Sequence, residues 1–260
     1  MALPASGPLA FSDINVELGN SATATLNLDD SAARSLCGVP SGAIDVSDFY
    51  AASSLAFKAS RNSNSNTISW PTTSFGDVAI LLDVALNASA STKPTNVVPS
   101  GFVQIGTNSE QIYDAFPELW WARVTLSAKK CTGSESGNIT GMNGTEDNNK
   151  ILLLFDAGAT SINPQGFTNG MTTGNPNSKT ITASGGTTPL IVVGACCALK
   201  AESTNFTTQN PSFDSVIAKT NNDTRFGYKI YSSGSASNHT INMGNDGDGN
   251  ILAGAYVEIT

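Results

Sequence analysis

The amino-acid sequence predicts a mainly β protein, in which a small helical or irregular N-terminal segment precedes a two-sheet β-sandwich of jelly-roll-like or Greek-key type. Three observations predict this fold. Only 13% of the residues are charged, so the polar surface consists largely of Ser, Thr, Asn and Gly, which favour turns and exposed strands over helices. Beyond Tyr50, short apolar or alternating runs recur with turn residues between them. No repeat of fixed length indicates a propeller or a solenoid.

Short helical patterns occupy the N-terminal segment. Ile14 and Leu18 lie one helical turn apart on a single face. A second pattern begins after Asp29 or Asp30, which suit the N-cap position, and ends at Gly38. Each helix is too small to bury a face alone, so we expect the segment to bury its apolar residues against itself, the body or a partner.

A change of composition divides the chain into two parts. Residues 1–60 form the N-terminal docking module and linker, and residues 61–260 form the sandwich. The tract SRNSNSN, residues 60–66, reads as a linker or a hairpin tip.

Strand signals recur through the second part. ILLLF and LIVVGA are apolar throughout, which predicts central strands. Long Gly- and Asn-rich stretches at 132–149 and 158–178 are predicted to be loops suited to polar recognition, for example of glycans. The predicted strands are 67–70, 77–86, 101–108, 119–130, 150–157, 178–184, 189–199, 214–220, 225–233, 239–244 and 251–260.

Charge and hydropathy exclude several classes of function. The net charge of −8 gives an acidic surface that repels phosphate backbones, so we expect no nucleic-acid partner. The apolar runs are too short to span a bilayer, and the N-terminus lacks a secretory pattern. We therefore expect a protein made in a cytoplasm without membrane insertion. The four cysteines, which we expect to be buried thiols with a Cys196–Cys197 disulfide as the alternative, are Cys37, Cys131, Cys196 and Cys197.

No motif predicts catalysis, and we expect neither catalytic residues nor a cofactor. His239 is interpreted as a surface or hydrogen-bonding residue, because no nucleophile elbow accompanies it. Glycoside hydrolysis requires two converging carboxylates. The acidic residues considered for it, none of which forms a recognisable pair, are Asp77, Asp83, Asp114, Glu118, Glu135, Glu146, Asp147 and Asp156.

The segment NDGDGN is a weak calcium candidate. Asp246, Asp248 and Asn250 alternate as in calcium loops. The EF-hand pattern fails, because Ile251 stands where glycine is required. A tight turn before the last strand is the simpler interpretation.

Adjacent tryptophans provide a candidate glycan platform. Trp120 and Trp121 lie on an alternating strand, so one is expected to face inward and the other outward. An exposed tryptophan beside polar loops suits stacking on a sugar, and it suits a subunit interface equally well.

The N-terminal sequence GPLAFSDINVELGNSATATLNLDDSAARSLCGVPSGAIDVSDFY resembles a short module found at the start of many tailed-bacteriophage structural proteins. The resemblance covers roughly residues 7–52 and carries no catalytic residues. It implies an anchor that precedes exchangeable bodies, with docking through Ile14, Leu18, Leu36, Ile44, Phe49 and Tyr50. The matching positions are Ile14, Glu17, Leu18, Leu28, Asp30, Arg34, Leu36, Gly38, Val39, Ser41, Gly42, Ile44, Ser47 and Phe49.

The resemblance implies a virion protein, and three alternatives remain open. The first is a tail-fibre or baseplate appendage that contacts host-surface glycans. The second is a capsid decoration or head-fibre protein that stabilises the shell, and the third is a glycan-degrading enzyme. The expected partners are other virion proteins and a host glycan, and a homo-oligomer such as a trimer is expected.

Overall fold

The structure is a computed structural model. It describes residues 3, 9–37, 43–44, 49, 55–87, 92–115, 118–142, 147–173, 177–198, 205–219, 224–232, 234–243 and 249–260.

Two short helices precede fifteen strands within the described residues. The helices are α1 (Phe11–Glu17) and α2 (Ser31–Cys37). The strands are β1 (Ala56–Ser63), β2 (Ile68–Ser69), β3 (Phe75–Asn87), β4 (Val103–Ala115), β5 (Glu118–Thr132), β6 (Asn138–Ile139), β7 (Asp147–Asp156), β8 (Ile162–Thr173), β9 (Asn177–Ile181), β10 (Leu190–Ala198), β11 (Phe206–Asn210), β12 (Ser215–Ala218), β13 (Thr224–Tyr231), β14 (His239–Met243) and β15 (Gly249–Ile259).

Two five-stranded antiparallel sheets form the centre of the body. The strand order is β1-β7-β3-β5-β4 in the first sheet and β12-β13-β10-β15-β8 in the second. Alternate residues of both sheets meet in one core, for example Ile80 of β3, Leu153 of β7 and Val193 of β10. The sheets also meet at one edge, where Asn108 Nδ2 donates to Asn169 Oδ1 at 2.8 Å. The prediction of a mainly β sandwich is confirmed.

Each central sheet is covered on its outer face as well. The three-stranded sheet β11-β14-β9 encloses a second core against the outer face of the second sheet. The short pair β2-β6 encloses a third core against the first sheet. Because both faces are buried, β7 and β10 need apolar side chains on both sides. The prediction that ILLLF and LIVVGA are central strands is confirmed, since each lies between two neighbours.

The sequence patterns missed two edge strands of the central sheets, β1 and β8. The loop predicted at 158–178 is wrong over Ile162–Thr173, which form β8 at the edge of the second sheet beside β15. β1 likewise pairs only with β7, and it includes part of the tract interpreted as a linker or hairpin tip. An edge strand has one neighbour and exposed positions, so its sequence is polar and lacks clear alternation.

Candidate functional site

Local hydrogen bonds shape the N-terminal module, residues 1–54. The Ala10 amide donates to Asp13 Oδ2 at 2.9 Å, which satisfies a backbone group at the start of α1. The Asn15 side chain donates through Nδ2 to the Ala24 carbonyl at 2.7 Å, which fixes the following segment against the helix. Gly19 has φ of +76°, so the turn after α1 uses a conformation that favours glycine.

The apolar residues of the phage-like motif lie in one small cluster, the module core. Ile14 and Phe49 are fully buried there. Leu18, Leu36 and Ile44 pack against them. The expectation that Ile14 and Phe49 dock on a neighbouring surface is corrected, because the module buries them within itself. Tyr50 lies outside the described residues.

Two other residues of α1 expose apolar surface. Phe11 is 56% exposed and Val16 is 48% exposed. Both point away from the module core, to which neither belongs. Sequence patterns had singled out the inward residues of this helix, because helical periodicity identifies an apolar face without showing what covers it.

The two tryptophans of β5 face opposite sides of the first sheet. Trp120 is half-buried against the central core. Trp121 lies on the outer face, where Lys93 Nζ is 5.5 Å from its ring centroid. Asn87 of β3 and Gln111 of β4 flank Trp121 in register. The outer tryptophan therefore lies between two residues with amide side chains on the same face of the sheet.

A buried polar strip continues from Trp121 along the outer face of the first sheet. Asp83 lies opposite Lys150 on β7, and the Lys150 ammonium donates to its carboxylate. Arg123 Nε donates to the Pro94 carbonyl at 2.8 Å. Burial lowers the pKa of the Arg123 guanidinium, and the nearby Asp83 carboxylate opposes that shift.

A second buried polar group, the inter-sheet group, lies between the central sheets and comprises Asn149, Cys197, Lys219 and Thr224. Lys219 Nζ contacts Asn149 Oδ1. Asn149 Nδ2 donates to Cys197 Sγ at 3.3 Å, and Thr224 Oγ1 donates to the same sulfur at 3.2 Å. Of these residues only Cys197 stood out in the sequence, as an expected buried thiol, because the grouping depends on strands that are distant in the chain.

Three of the acidic residues considered for glycoside hydrolysis take part in buried ion pairs. Asp83 pairs with Lys150 as described. Asp77 Oδ2 lies 2.7 Å from Lys58 Nζ. A lysine partner thus compensates the charge of each of these acids.

Glu135 is the third of these paired acids. Its Oε1 lies 3.1 Å from Lys129 Nζ. Burial alone would raise the pKa of Glu135, but hydrogen bonds from Thr132, Lys129 and Thr73 outweigh it and lower the pKa to about 2. Such a carboxyl is ionised at neutral pH and is a poor general acid.

His239 is buried inside the second core. Its Nε2 is 2.8 Å from the Tyr231 hydroxyl, and its ring stacks on Phe213 with centroids 5.7 Å apart. The interpretation as a hydrogen-bonding residue is confirmed, and the surface alternative is wrong. Burial lowers the pKa of His239.

The remaining candidates from the sequence are the cysteines and the calcium segment. Among the described residues, Cys196 and Cys197 are not joined by a disulfide, and they face different cores. Burial raises the pKa of the Cys131 thiol to about 12.

The calcium candidate lies mostly outside the described residues, since Asp246 and Asp248 are not described. The backbone of Asn250, in β15, pairs with that of Ala198 in β10. In the part of the chain that the structure describes, no group of three or more His, Cys, Asp or Glu side chains could hold a metal ion.

The comparisons with known proteins give no relative. The chain matches no family model, no curated protein and no solved structure. No helix among the described residues is long and apolar enough to cross a membrane.

Proposed function

We infer that the chain is a structural component of a tailed-bacteriophage particle, a tail-fibre or baseplate appendage that docks through its N-terminal module and presents its sandwich to host-surface glycans. The observation that carries this proposal is the module core. The motif residues Ile14, Leu18, Leu36, Ile44 and Phe49 build a cluster that shares no residue with the three cores of the body. A module with its own core suits an anchor placed before different bodies.

The docking partner in this proposal is another virion protein. Phe11 and Val16 give α1 an apolar surface next to polar positions, and protein interfaces combine an apolar centre with a polar rim. The motif residues inside the module then hold this surface in shape, and α1 supplies the contact.

Incorporation into particles tests the docking surface. We expect the double variant Phe11→Ser/Val16→Ser to fold but to be lost from purified particles. Phe75→Ser is the matched control, because Phe75 is 69% exposed and lies on the body, and that variant should be incorporated normally. Equal incorporation of both variants contradicts docking through α1.

Immunogold electron microscopy with an antibody against the body tests the place on the particle. Label at the tail tip or fibres is the expected result. Label over the head replaces this proposal with the capsid decoration or head-fibre alternative. Absence of label, with an antibody that recognises the folded protein, contradicts the virion assignment.

The glycan-contact part of the proposal rests on Trp121. Its ring lies between Asn87 and Gln111 in register on the outer face of the first sheet. Aromatic faces stack on the apolar face of a sugar ring, while neighbouring amides can bond to its hydroxyl groups. The binding surface would therefore be a shallow platform on a rigid sheet.

A further inference from the structure

The contact between Lys219 and Asn149 crosses the interior of the sandwich. Asn149 lies on β7 of the first sheet, and Lys219 directly follows β12 of the second sheet. Each residue is only 1% exposed. The Lys219 amine contacts Oδ1 of the Asn149 carboxamide, so it lies next to the electrophilic carbonyl carbon of that side chain.

The surrounding contacts hold both partners in place. The Lys219 amide donates to the Thr224 carbonyl at 2.9 Å, which fixes the lysine to the start of β13. On the other side of the carboxamide, Asn149 Nδ2 donates to Cys197 Sγ at 3.3 Å. The amine and the amide nitrogen therefore lie on opposite sides of the Asn149 carbonyl, and both sheets position them through regular strands.

We propose that Lys219 and Asn149 form an intramolecular isopeptide bond. The Lys219 ammonium group releases a proton and the amine attacks Asn149 Cγ, so that a bond forms between Nζ and Cγ and the bond between Cγ and Nδ2 breaks. The released proton and one further amine proton reach Nδ2, which leaves as ammonium. The products are one secondary amide and one ammonium ion, so atoms and charges balance without an oxidant or a cofactor.

Burial favours this reaction over hydrolysis of the same amide. Bulk water is kept from both side chains by the two packed sheets, so the lysine is the nucleophile that the fold presents to Asn149 Cγ. The secondary amide that forms carries no charge, so the interior accommodates it without an opposite charge beside it.

The Lys150–Asp83 contact does not meet the same conditions. These residues are directly opposite on neighbouring strands of one sheet, and their opposite charges compensate each other. A bond there would join strands that the sheet already joins. The Lys219–Asn149 bond would join two sheets and would close a loop between residues 70 positions apart.

The bond would secure the weakest strand of the second sheet. β12 has four residues and pairs only with β13. A covalent link from its end to β7 prevents this edge from separating while the rest of the sheet remains folded. It also restricts the unfolded chain, as a disulfide across a long loop does.

Mass spectrometry of the folded full-length chain tests the proposal. We expect the intact mass to be lower than the sequence mass by one ammonia. After trypsin digestion, Lys219 should remain uncleaved, and its peptide should be linked to the peptide that contains Asn149. A linear peptide with an unmodified Asn149, together with cleavage after Lys219, overturns the proposal. Loss of one water with a Lys150–Asp83 linkage instead also overturns it.

Two substitutions separate this bond from other losses of ammonia. Lys219→Arg keeps the positive charge but cannot form the bond, so its linked peptide should be absent. Lys229→Arg is the matched control on the neighbouring strand, where Lys229 pairs with Asp214, and it should retain the linked peptide. Because the wild-type digest is decisive by itself, a misfolded variant would not prevent the test.

Discussion

Ionisable side chains lie inside this body at several places, and each is held by a specific contact. Asp77 bonds to Lys58, Asp83 bonds to Lys150, and His239 bonds to Tyr231. Removing one partner of a buried ion pair costs about 3–5 kcal/mol, because it leaves an uncompensated charge. These residues therefore make the stability of the body depend on single polar substitutions, and His239 makes it depend on pH.

The buried histidine predicts a loss of stability in mild acid. Burial lowers the pKa of His239 in the folded state, whereas the unfolded chain has the ordinary value of about 6.5. The unfolded state therefore binds the proton first as the pH falls. The stabilisation is complete above about pH 6.5 and declines below it, by up to about 1.4 kcal/mol per pH unit.

Denaturant unfolding at pH 7.5 and 5.5 measures this effect. His239→Gln should be less stable than the wild type at pH 7.5, and its stability should change less between the two pH values. The chain contains one histidine, so no other histidine contributes. Equal pH dependence of both proteins would contradict the argument.

The two tryptophans are predicted to separate stability from binding. Trp120→Ala should lower the free energy of unfolding by about 2 kcal/mol, because Trp120 packs against the central core. Trp121→Ala should change stability less and should weaken binding on a glycan array. Chemical denaturation and array binding of both variants provide the measurements. If Trp120→Ala weakened binding more and Trp121→Ala lowered stability more, the ligand surface would lie elsewhere.

At the scale of elements, a row of glycines shapes the outer face of the second sheet. Gly227 of β13, Gly194 of β10 and Gly254 of β15 are paired in register. The Phe213 ring lies over the first two, and Ile181 lies over the third. A Cβ on Gly227 would lie 2.3 Å from the Phe213 ring. The absence of side chains thus makes a groove in which the covering layer sits.

Substitution across this groove should be strongly destabilising. Gly227→Ala forces Phe213 out of the groove, and we expect a loss of about 1–3 kcal/mol. Phe213→Ala should cost about 3–5 kcal/mol through the cavity that it leaves. The double variant should lose less than the sum, because the second change removes the clash made by the first. Denaturant unfolding of the three variants checks this, and strict additivity would contradict it.

The strands, and the glycines within them, show which features of the fold the sequence predicts. Central strands such as β3 and β10 were predictable, because burial on both faces demands apolar residues. The edge strands β1 and β8 were not, because exposure allows polar residues and glycine, whereas the edge strand β12 was predicted at 214–220. Each of RFGYKIY, LIVVGACC and ILAGAYV carries a central glycine, but their alignment depends on the register of strands distant in the chain. The inter-sheet group was hidden for the same reason.

At the scale of the whole molecule, the body is built in four layers, with the two central sheets between β2-β6 and β11-β14-β9. This arrangement explains how the body of a chain with few charges buries three separate clusters. It also explains why the apolar pattern of the sequence indicated a sandwich but not its outer layers. Those layers are made of short strands, β2, β6, β9, β11 and β14, which carry few apolar residues each.

The separation of the module core from the other three clusters predicts that the body folds without the module. Among the described residues, Leu55 is the first that belongs to the central core, and β1 begins at Ala56. A variant that lacks residues 1–52 should therefore keep all three body cores. Its melting temperature should stay within about 2 °C of the wild type, since 1 kcal/mol shifts a domain of this size by about 2–4 °C. Thermal denaturation by circular dichroism provides the measurement, with Phe213→Ala as a control that must lower the melting temperature. A marked destabilisation of the truncated chain would mean that the module supports the body directly, and the division into anchor and body would have to be abandoned.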